Sequence, residues 1–99
     1  GILSTIYIDL EKGVNQSKII KTLTDFYKND DFVKILEANS LLSTNDVINS
    51  NNCFISVCKS KYNDKIVIIS AIDNLIKGGA GQAVQNLNMK FNFPIKTAL

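Results

Sequence analysis

The stretch of the chain with the clearest chemical potential is a glycine-rich run, Lys77-Gly78-Gly79-Ala80-Gly81, at the predicted start of a helix. Backbone N–H groups at a helix N-terminus are free, and the helix dipole makes that end partially positive. With the Lys77 ammonium added, the run favours an anion, so we predict close packing on a phosphate-bearing or nicotinamide-bearing cofactor. The alternative is a glycine-rich hinge between a strand and a helix, because a lone run of this kind has low specificity.

Two further groups of polar residues are candidates for a site. The amides Gln82, Gln85 and Asn86 follow the glycines, and paired carboxamide donors and acceptors can orient a neutral carboxamide ligand. The alternative is a solvated helix face. Residues 43–46, Ser-Thr-Asn-Asp, lie in a long polar loop and are candidates for contact with a substrate, or form an ordinary turn or cap.

Two absences limit the chemistry of these 99 residues. Histidine is absent and all 11 basic residues are lysine, so the chain offers no Ser-His-Asp or Cys-His pair and no histidine-containing metal site. A net charge of +2 without a lysine cluster argues against nucleic acid as the main partner. We therefore predict neither a metal site nor a nucleic-acid partner.

The two cysteines, Cys53 and Cys58, are five residues apart, which on a strand places them on opposite faces. They are too few for a disulfide framework or a zinc site, so we predict two free thiols in a reducing compartment, the cytoplasm. No apolar run reaches the ~18 residues of a membrane span, and the first residues lack the features of a signal peptide.

The hydrophobic pattern predicts the elements that position these residues. Residues 2–10 alternate, which predicts a strand well buried on one side. A helix follows with Asn15 as its N-cap. The apolar stripe of this helix, expected to pack on a sheet, consists of Ile19, Ile20, Leu23, Phe26 and Tyr27.

Three more strands are predicted after this helix. Residues 32–36 form a short one, and residues 53–60 and 65–72 form an antiparallel hairpin around turn residues 62–64. Residues 66–69 are continuously apolar, which is typical of a strand covered on both faces, by the helix, by a segment outside this chain or by another subunit. Residues 37–52 form a long loop. The last helix has a narrow apolar stripe at Ala80, Val84, Leu87 and Phe91 and is expected to end at Phe93-Pro94. The fold class is α+β, a mostly antiparallel sheet packed with helices.

Several stretches resemble the C-terminal part of N-acetyl-γ-glutamyl-phosphate reductases. Three shorter stretches are the opening GILSTIY, an FY pair followed by DFV, and a third that runs from the long loop into the next strand and contains ST, V, SN and C. The most specific stretch is IISAIDNLIKGGAGQAVQNLN over residues 68–88. The resemblance covers almost the whole chain. It implies a fold similar to the C-terminal domain of glyceraldehyde-3-phosphate and aspartate-semialdehyde dehydrogenases.

The resemblance also implies a function. Such enzymes reduce a small-molecule acyl phosphate to a semialdehyde with NADPH (cofactor NADP), in the arginine pathway. Their nucleophilic cysteine and acid/base histidine lie upstream of the matching segment, so it implies no catalytic residue here and an inactive segment on its own. Residues 1–76 would belong to a catalytic and dimerisation domain of a homo-oligomer, a dimer or tetramer. Residues 77–99 would return to a nucleotide-binding domain.

The resemblance assigns site residues one by one. The cofactor-binding residues would be Lys77, Gly78, Gly79 and Asn86. Ser43 and Thr44 would lie near the substrate or the subunit interface. Two alternatives remain open: a reductase similar to aspartate-semialdehyde dehydrogenase, which shares a turn of the DNLxKG kind, and a non-catalytic self-association module.

Overall fold

Four strands form a single sheet in the computed structural model, which describes all 99 residues. The regular elements are β1 (Ile2–Asp9), α1 (Gln16–Tyr27), β2 (Val33–Ile35), β3 (Cys53–Lys59), β4 (Lys65–Ile72) and α2 (Gly81–Lys90). The order of strands across the sheet is β1-β4-β3-β2. The predicted α+β class and all four predicted strands are therefore confirmed.

The sheet is mixed, although most of its pairings are antiparallel. β4 pairs antiparallel with both β1 and β3, which confirms the predicted hairpin. β2 pairs with β3 in parallel. A parallel pair needs a long crossover connection, and the loop of residues 36–52 between β2 and β3 provides it. One turn of 3₁₀-helix, Thr44–Asp46, lies within that crossover.

Helix α1 begins as predicted. The Asn15 side-chain oxygen accepts a hydrogen bond from the Lys18 backbone N–H at 2.9 Å, and the helix packs against β2 and β3. Four residues of the predicted stripe are half-buried, but Phe26 is 79% exposed, so its assignment to the buried face is wrong. Phe26 lies outside the face that α1 turns to the sheet, and its ring packs edge-on against Tyr27.

Strand β1 differs from its predicted burial. The side carrying Ile2 and Ile6 was expected to be well buried, yet these side chains are 46% and 45% exposed, and Leu3 and Tyr7 on the other side are exposed too. The reason is that α1 packs over β2 and β3, toward the opposite edge of the sheet. The cover predicted for residues 66–69 is likewise partial: Ile66 is buried and the next three residues are half-buried.

The core lies under the long loop as well as under α1. Its buried apolar residues are Phe32, Val47, Val57, Ile66 and Ala71. Val47 comes from the loop, and the Ser56 hydroxyl fixes that loop by donating to the Ser40 carbonyl at 2.7 Å. The predicted loop is therefore a packed part of the domain. Neither α-helix combines the length and the apolar composition that crossing a membrane requires.

Candidate functional site

The predicted site residues gather at one end of the sheet. β1, β2 and β3 begin there and β4 ends there, since Ile2 and Cys53 both pair with Ile72 and Val33 pairs with Cys53. The chain before β3 and the chain after β4 therefore meet at this end. This topology brings the long polar loop and the glycine-rich run together.

Asp73, the first residue after β4, joins these two segments. Its carboxylate accepts hydrogen bonds from the backbone N–H groups of Asn49 in the loop (2.9 Å) and of Leu75 (2.9 Å) and Ile76 (3.1 Å) ahead of the helix. These donors, Asn49 first, hold the pKa of the Asp73 carboxyl below its ordinary value of 3.8, because they stabilise the charged form. The ionised Asp73 carboxylate thus links the long loop to the segment that precedes α2.

The glycine-rich run forms a turn that leads directly into α2. Ile76–Ala80 is one turn of π-helix with a kink at Gly79, and α2 continues from Gly81. The run thus has the shape that the hinge alternative describes, and its packing on a cofactor stays a prediction. Gly78 and Gly79 are exposed and Gly81 is buried; a Cβ on Gly81 would overlap the Asn51 side chain and lie 2.7 Å from the Ile76 carbonyl oxygen.

The backbone N–H groups of this run are largely used within the turn, contrary to the prediction of free donors. Gly78 N–H donates to the Asp73 carbonyl and Ala80 N–H to the Leu75 carbonyl, each at 3.0 Å, and Gly81 N–H donates to the Ile76 carbonyl. The physical reason is that the helical segment starts ahead of the glycines, where Asp73 caps it. The Lys77 side chain and the open surface of Gly78 and Gly79 are thus the main groups that this run offers to a ligand.

Lys77 projects its ammonium against the body of the domain. Its Nζ donates to Gln85 Oε1 at 2.8 Å and stands 5.2 Å from the centroid of the Phe32 ring. The three ion pairs of the chain involve other lysines. The Lys77 charge is thus held by a neutral amide oxygen and an aromatic face, without a carboxylate to neutralise it.

The predicted amide set divides into two parts. Gln85 turns inward, where its Oε1 also accepts from Asn51 Nδ2 at 2.9 Å. Gln82 Nε2 donates to Asn86 Oδ1 at 2.9 Å on an outer part of α2, and Asn86 is exposed. Of the predicted cofactor residues, the structure therefore brings Lys77, Gly78 and Gly79 together in one turn, with Asn86 further along the helix.

Ser43 and Thr44 lie on the loop side of this end. The Ser43 N–H donates to the Asp46 carboxylate at 2.8 Å, so the pair opens the 3₁₀ turn in the way the cap alternative describes. Thr44 is half-buried beside Gly1, which also adjoins the Ile72 carbonyl. Their loop is joined to the segment after β4 by the hydrogen bond from the Asn49 N–H to the Asp73 carboxylate. A role of Ser43 and Thr44 toward a substrate remains a prediction.

Three residues of this site were missed from the sequence: Phe32, Asn51 and Asp73. Asp73 carried a usable signal, because an aspartate just ahead of a helical segment is a typical cap. Phe32 and Asn51 occurred only within the family motifs and gave no sign of these contacts, since their partners Lys77 and Gln85 are remote in sequence. Phe32 and Gln85 also line a cleft of about 260 Å³ beside α2, together with Met89.

The cysteines take no part in this arrangement. Both are free, and they lie on opposite faces of β3 as predicted, Cys53 beside Ser70 and Cys58 beside Ser56, each with its sulfur 3.5 Å from the hydroxyl. No group of three or more Cys, Asp or Glu side chains is arranged to hold a metal ion.

Comparison with known proteins identifies relatives of this chain. The family described as "Semialdehyde dehydrogenase, dimerisation domain" matches residues 1–74. A protein of Thermoanaerobacter pseudethanolicus named N-acetyl-gamma-glutamyl-phosphate reductase is 44% identical over 99 residues, which are 100% of this chain and 29% of that protein. A Clostridium botulinum (strain Alaska E43 / Type E3) protein of the same name is 47% identical over 94% of this chain and 27% of its own length.

A more distant relative extends the range of organisms. A rice protein (Oryza sativa subsp. japonica) named "Probable N-acetyl-gamma-glutamyl-phosphate reductase, chloroplastic" is 39% identical over the whole chain and 24% of its own length. The chain thus spans less than a third of the length of each of these curated relatives. The resemblance seen in the motifs is confirmed, and the chain belongs to the family of semialdehyde dehydrogenase dimerisation domains.

Proposed function

We propose that this chain is the C-terminal part of an NADP-dependent N-acetyl-γ-glutamyl-phosphate reductase, which converts an acyl phosphate into a semialdehyde. The relatives that cover the whole chain carry that reductase name. The observation that carries the proposal is the Lys77 ammonium, which lacks a carboxylate partner and adjoins the exposed Gly78-Gly79 surface. A cation left uncompensated at such a place suits the phosphates of a dinucleotide.

The residues present fit one side of a cofactor site. Lys77 would bind a phosphate, the side-chain-free surface of Gly78 and Gly79 would allow close approach, and the exposed Asn86 amide would help to place the carboxamide. NADPH supplies the hydride of such a reduction. Ser43 and Thr44 would contact the substrate or the subunit interface. Binding and orientation are thus the tasks of this chain's own residues.

The remaining functions would belong to the rest of the reductase. These 99 residues contain no histidine, so the acid/base histidine, together with the nucleophilic cysteine, would come from another part of the enzyme. We assign residues 1–76 to part of the α+β catalytic and dimerisation domain and residues 77–99 to a tail that approaches the nucleotide domain. The enzyme would be a cytoplasmic homo-oligomer, a dimer or tetramer, acting on a small molecule and not on nucleic acid or a membrane.

Lys77 provides the test of this proposal. In a complete reductase that carries this chain, Lys77→Ala is expected to raise the Kd for NADPH at least about tenfold, since a hydrogen bond to a charged group contributes ~1.5–3 kcal/mol. Fluorescence titration with NADPH measures it. The matched control is Lys61→Ala, because Lys61 lies in the turn at the opposite end of the sheet, over the Tyr62 ring. An unchanged Kd in Lys77→Ala contradicts the proposal.

A second candidate function rests on β1. Its apolar side chains are exposed on both faces of the sheet, which suits a module that only associates with another protein surface. That alternative predicts an NADPH affinity indifferent to Lys77. A substrate like that of aspartate-semialdehyde dehydrogenase is the remaining alternative, and competition between the two acyl phosphates on a complete enzyme separates them.

A further inference from the structure

The charge of Lys77 fixes the orientation of two amide side chains. An ammonium group only donates hydrogen bonds, so the atom of Gln85 that faces it must be the oxygen Oε1. Asn51 approaches that same oxygen, and it must therefore present its NH₂ group, Nδ2, at 2.9 Å. Asn51 and Lys77 therefore both donate hydrogen bonds to one acceptor, Gln85 Oε1.

This orientation leaves Asn51 Oδ1 without a partner. The Asn51 side chain is 95% buried (5% exposed), and its Oδ1 is the one buried side-chain polar atom of the chain that accepts no hydrogen bond. The oxygen lies against Gly81, where it would overlap with a Cβ of residue 81. An unsatisfied buried acceptor is costly. We therefore expect the hydrogen bond that the Asn51 Nδ2 group donates to Gln85 to have a role that compensates for this cost.

We propose that Asn51 is a positioning residue that acts on Lys77 through Gln85. By donating to Oε1, the Asn51 amide holds the Gln85 carboxamide with its oxygen toward Lys77, and that oxygen keeps the ammonium over the Phe32 ring. Asn51 is separated from Gln85 by 34 residues, and it connects the loop before β3 to the tail. The consequence for cofactor affinity rests on the proposed function; the positioning of Lys77 does not.

Lysine reactivity tests the positioning directly in a complete reductase that carries this chain. We expect Asn51→Leu to increase the rate of Lys77 acetylation by acetic anhydride roughly tenfold, because the Lys77 amine, released from its hydrogen bond to Gln85, is free to move away from the Phe32 ring and meet the reagent. Mass spectrometry measures the rate, with exposed Lys59 as internal reference. The matched control is Asn88→Leu, another buried amide, whose Nδ2 donates to the carbonyls of Ile95 and Thr97 instead.

The outcomes separate positioning from mere packing. If Lys77 reactivity stays at the wild-type rate in Asn51→Leu, or rises equally in Asn88→Leu, the proposal is overturned. Should Asn51→Leu fail to fold, Asn51→Ala removes the same donor without adding volume. Gln85→Met is expected to reproduce the rise, since it removes the acceptor, whereas Gln85→Glu keeps an acceptor and is expected to retain slow acetylation.

Cofactor titration extends the test to function. Asn51→Leu is expected to raise the Kd for NADPH by up to about tenfold, and to change it less than about twofold in a Lys77→Met background, because both substitutions act through the same ammonium. Full additivity of the two changes contradicts the proposal. If Lys77→Met itself leaves the Kd unchanged, the proposed function of Lys77 fails, while acetylation still decides whether Asn51 positions the lysine.

Discussion

At the scale of single residues, Asp73 shows how one carboxylate organises the candidate site. Its three backbone donors come from both sides of the site, the loop at Asn49 and the segment ahead of α2 at Leu75 and Ile76. Removal of its charge therefore loosens two segments together. The effect depends on pH, because only the ionised form accepts all three bonds well.

We predict that Asp73→Asn lowers the free energy of unfolding at pH 7, and that the difference from the wild type disappears in acid. The folded pKa lies below the ordinary 3.8, so the contribution of Asp73 is fully present above that value. It is lost as the pH falls through the lowered folded pKa. Urea unfolding from pH 7 down to pH 2 measures both proteins, and a difference that stays constant over this range contradicts the prediction.

The sequence indicated candidate residues by their type but not by their contacts. Lys77 and the glycines after it could be selected as candidates, because a cation beside glycines at a helical start suits an anion, and their role toward a cofactor stays a prediction. Their surroundings could not, because the Phe32 ring and the Asn51 amide reach Lys77 and Gln85 only through the crossover that pairs β2 with β3. The expectation of free backbone donors failed because a π-turn begins before the glycines.

At the scale of elements, local sequence patterns correctly predicted which helices and strands are present. The cap at Asn15, the hairpin of β3 and β4 and the helical tail all follow from side-chain chemistry within a few residues. Burial was predicted less well. The α2 stripe is largely exposed at Ala80, Leu87 and Phe91, and α2 ends at Lys90 instead of Phe93-Pro94, because Asn92 takes a left-handed conformation (φ 56°) just beyond it.

The cap of α1 permits a quantitative prediction. Asn15→Ala is expected to reduce the free energy of unfolding by about 1 kcal/mol, because the Lys18 N–H loses its acceptor. Urea unfolding followed by circular dichroism measures the change. Thr22→Val is the control: it removes the exposed hydroxyl bond to the Lys18 carbonyl within the same helix and is expected to change stability by less than about 0.5 kcal/mol. Equal losses in the two variants contradict a specific role of the cap.

At the scale of the whole molecule, the chain has more apolar surface than its own helices cover. β1 is exposed on both faces, and Leu87, Met89, Phe91 and Phe93 are exposed along the tail. β1 lies in the region that we propose for dimerisation, and the tail is the region that we propose approaches the nucleotide domain. The sequence showed that the apolar residues exist, but which of them stay exposed depends on where α1 packs.

The isolated 99 residues are predicted not to reduce the acyl phosphate. They contain no histidine for proton transfer. Their two cysteines lie within β3, where the sulfur atoms contact serine hydroxyls and not Lys77. Absorbance at the NADPH band, recorded with substrate and the isolated chain, checks this against a complete reductase as the positive control. Turnover by the isolated chain would refute the assignment of catalysis to other parts of the enzyme.

The tight contact around Gly81 has a consequence for sequence variation among related enzymes. A side chain at this position would collide with the main chain of the preceding turn at Ile76, which no change at Asn51 can relieve. Glycine is therefore expected to persist at position 81 in homologues whatever they carry at position 51. Asn51 and Gln85, by contrast, meet through side chains alone, so their replacements are expected to be correlated across lineages.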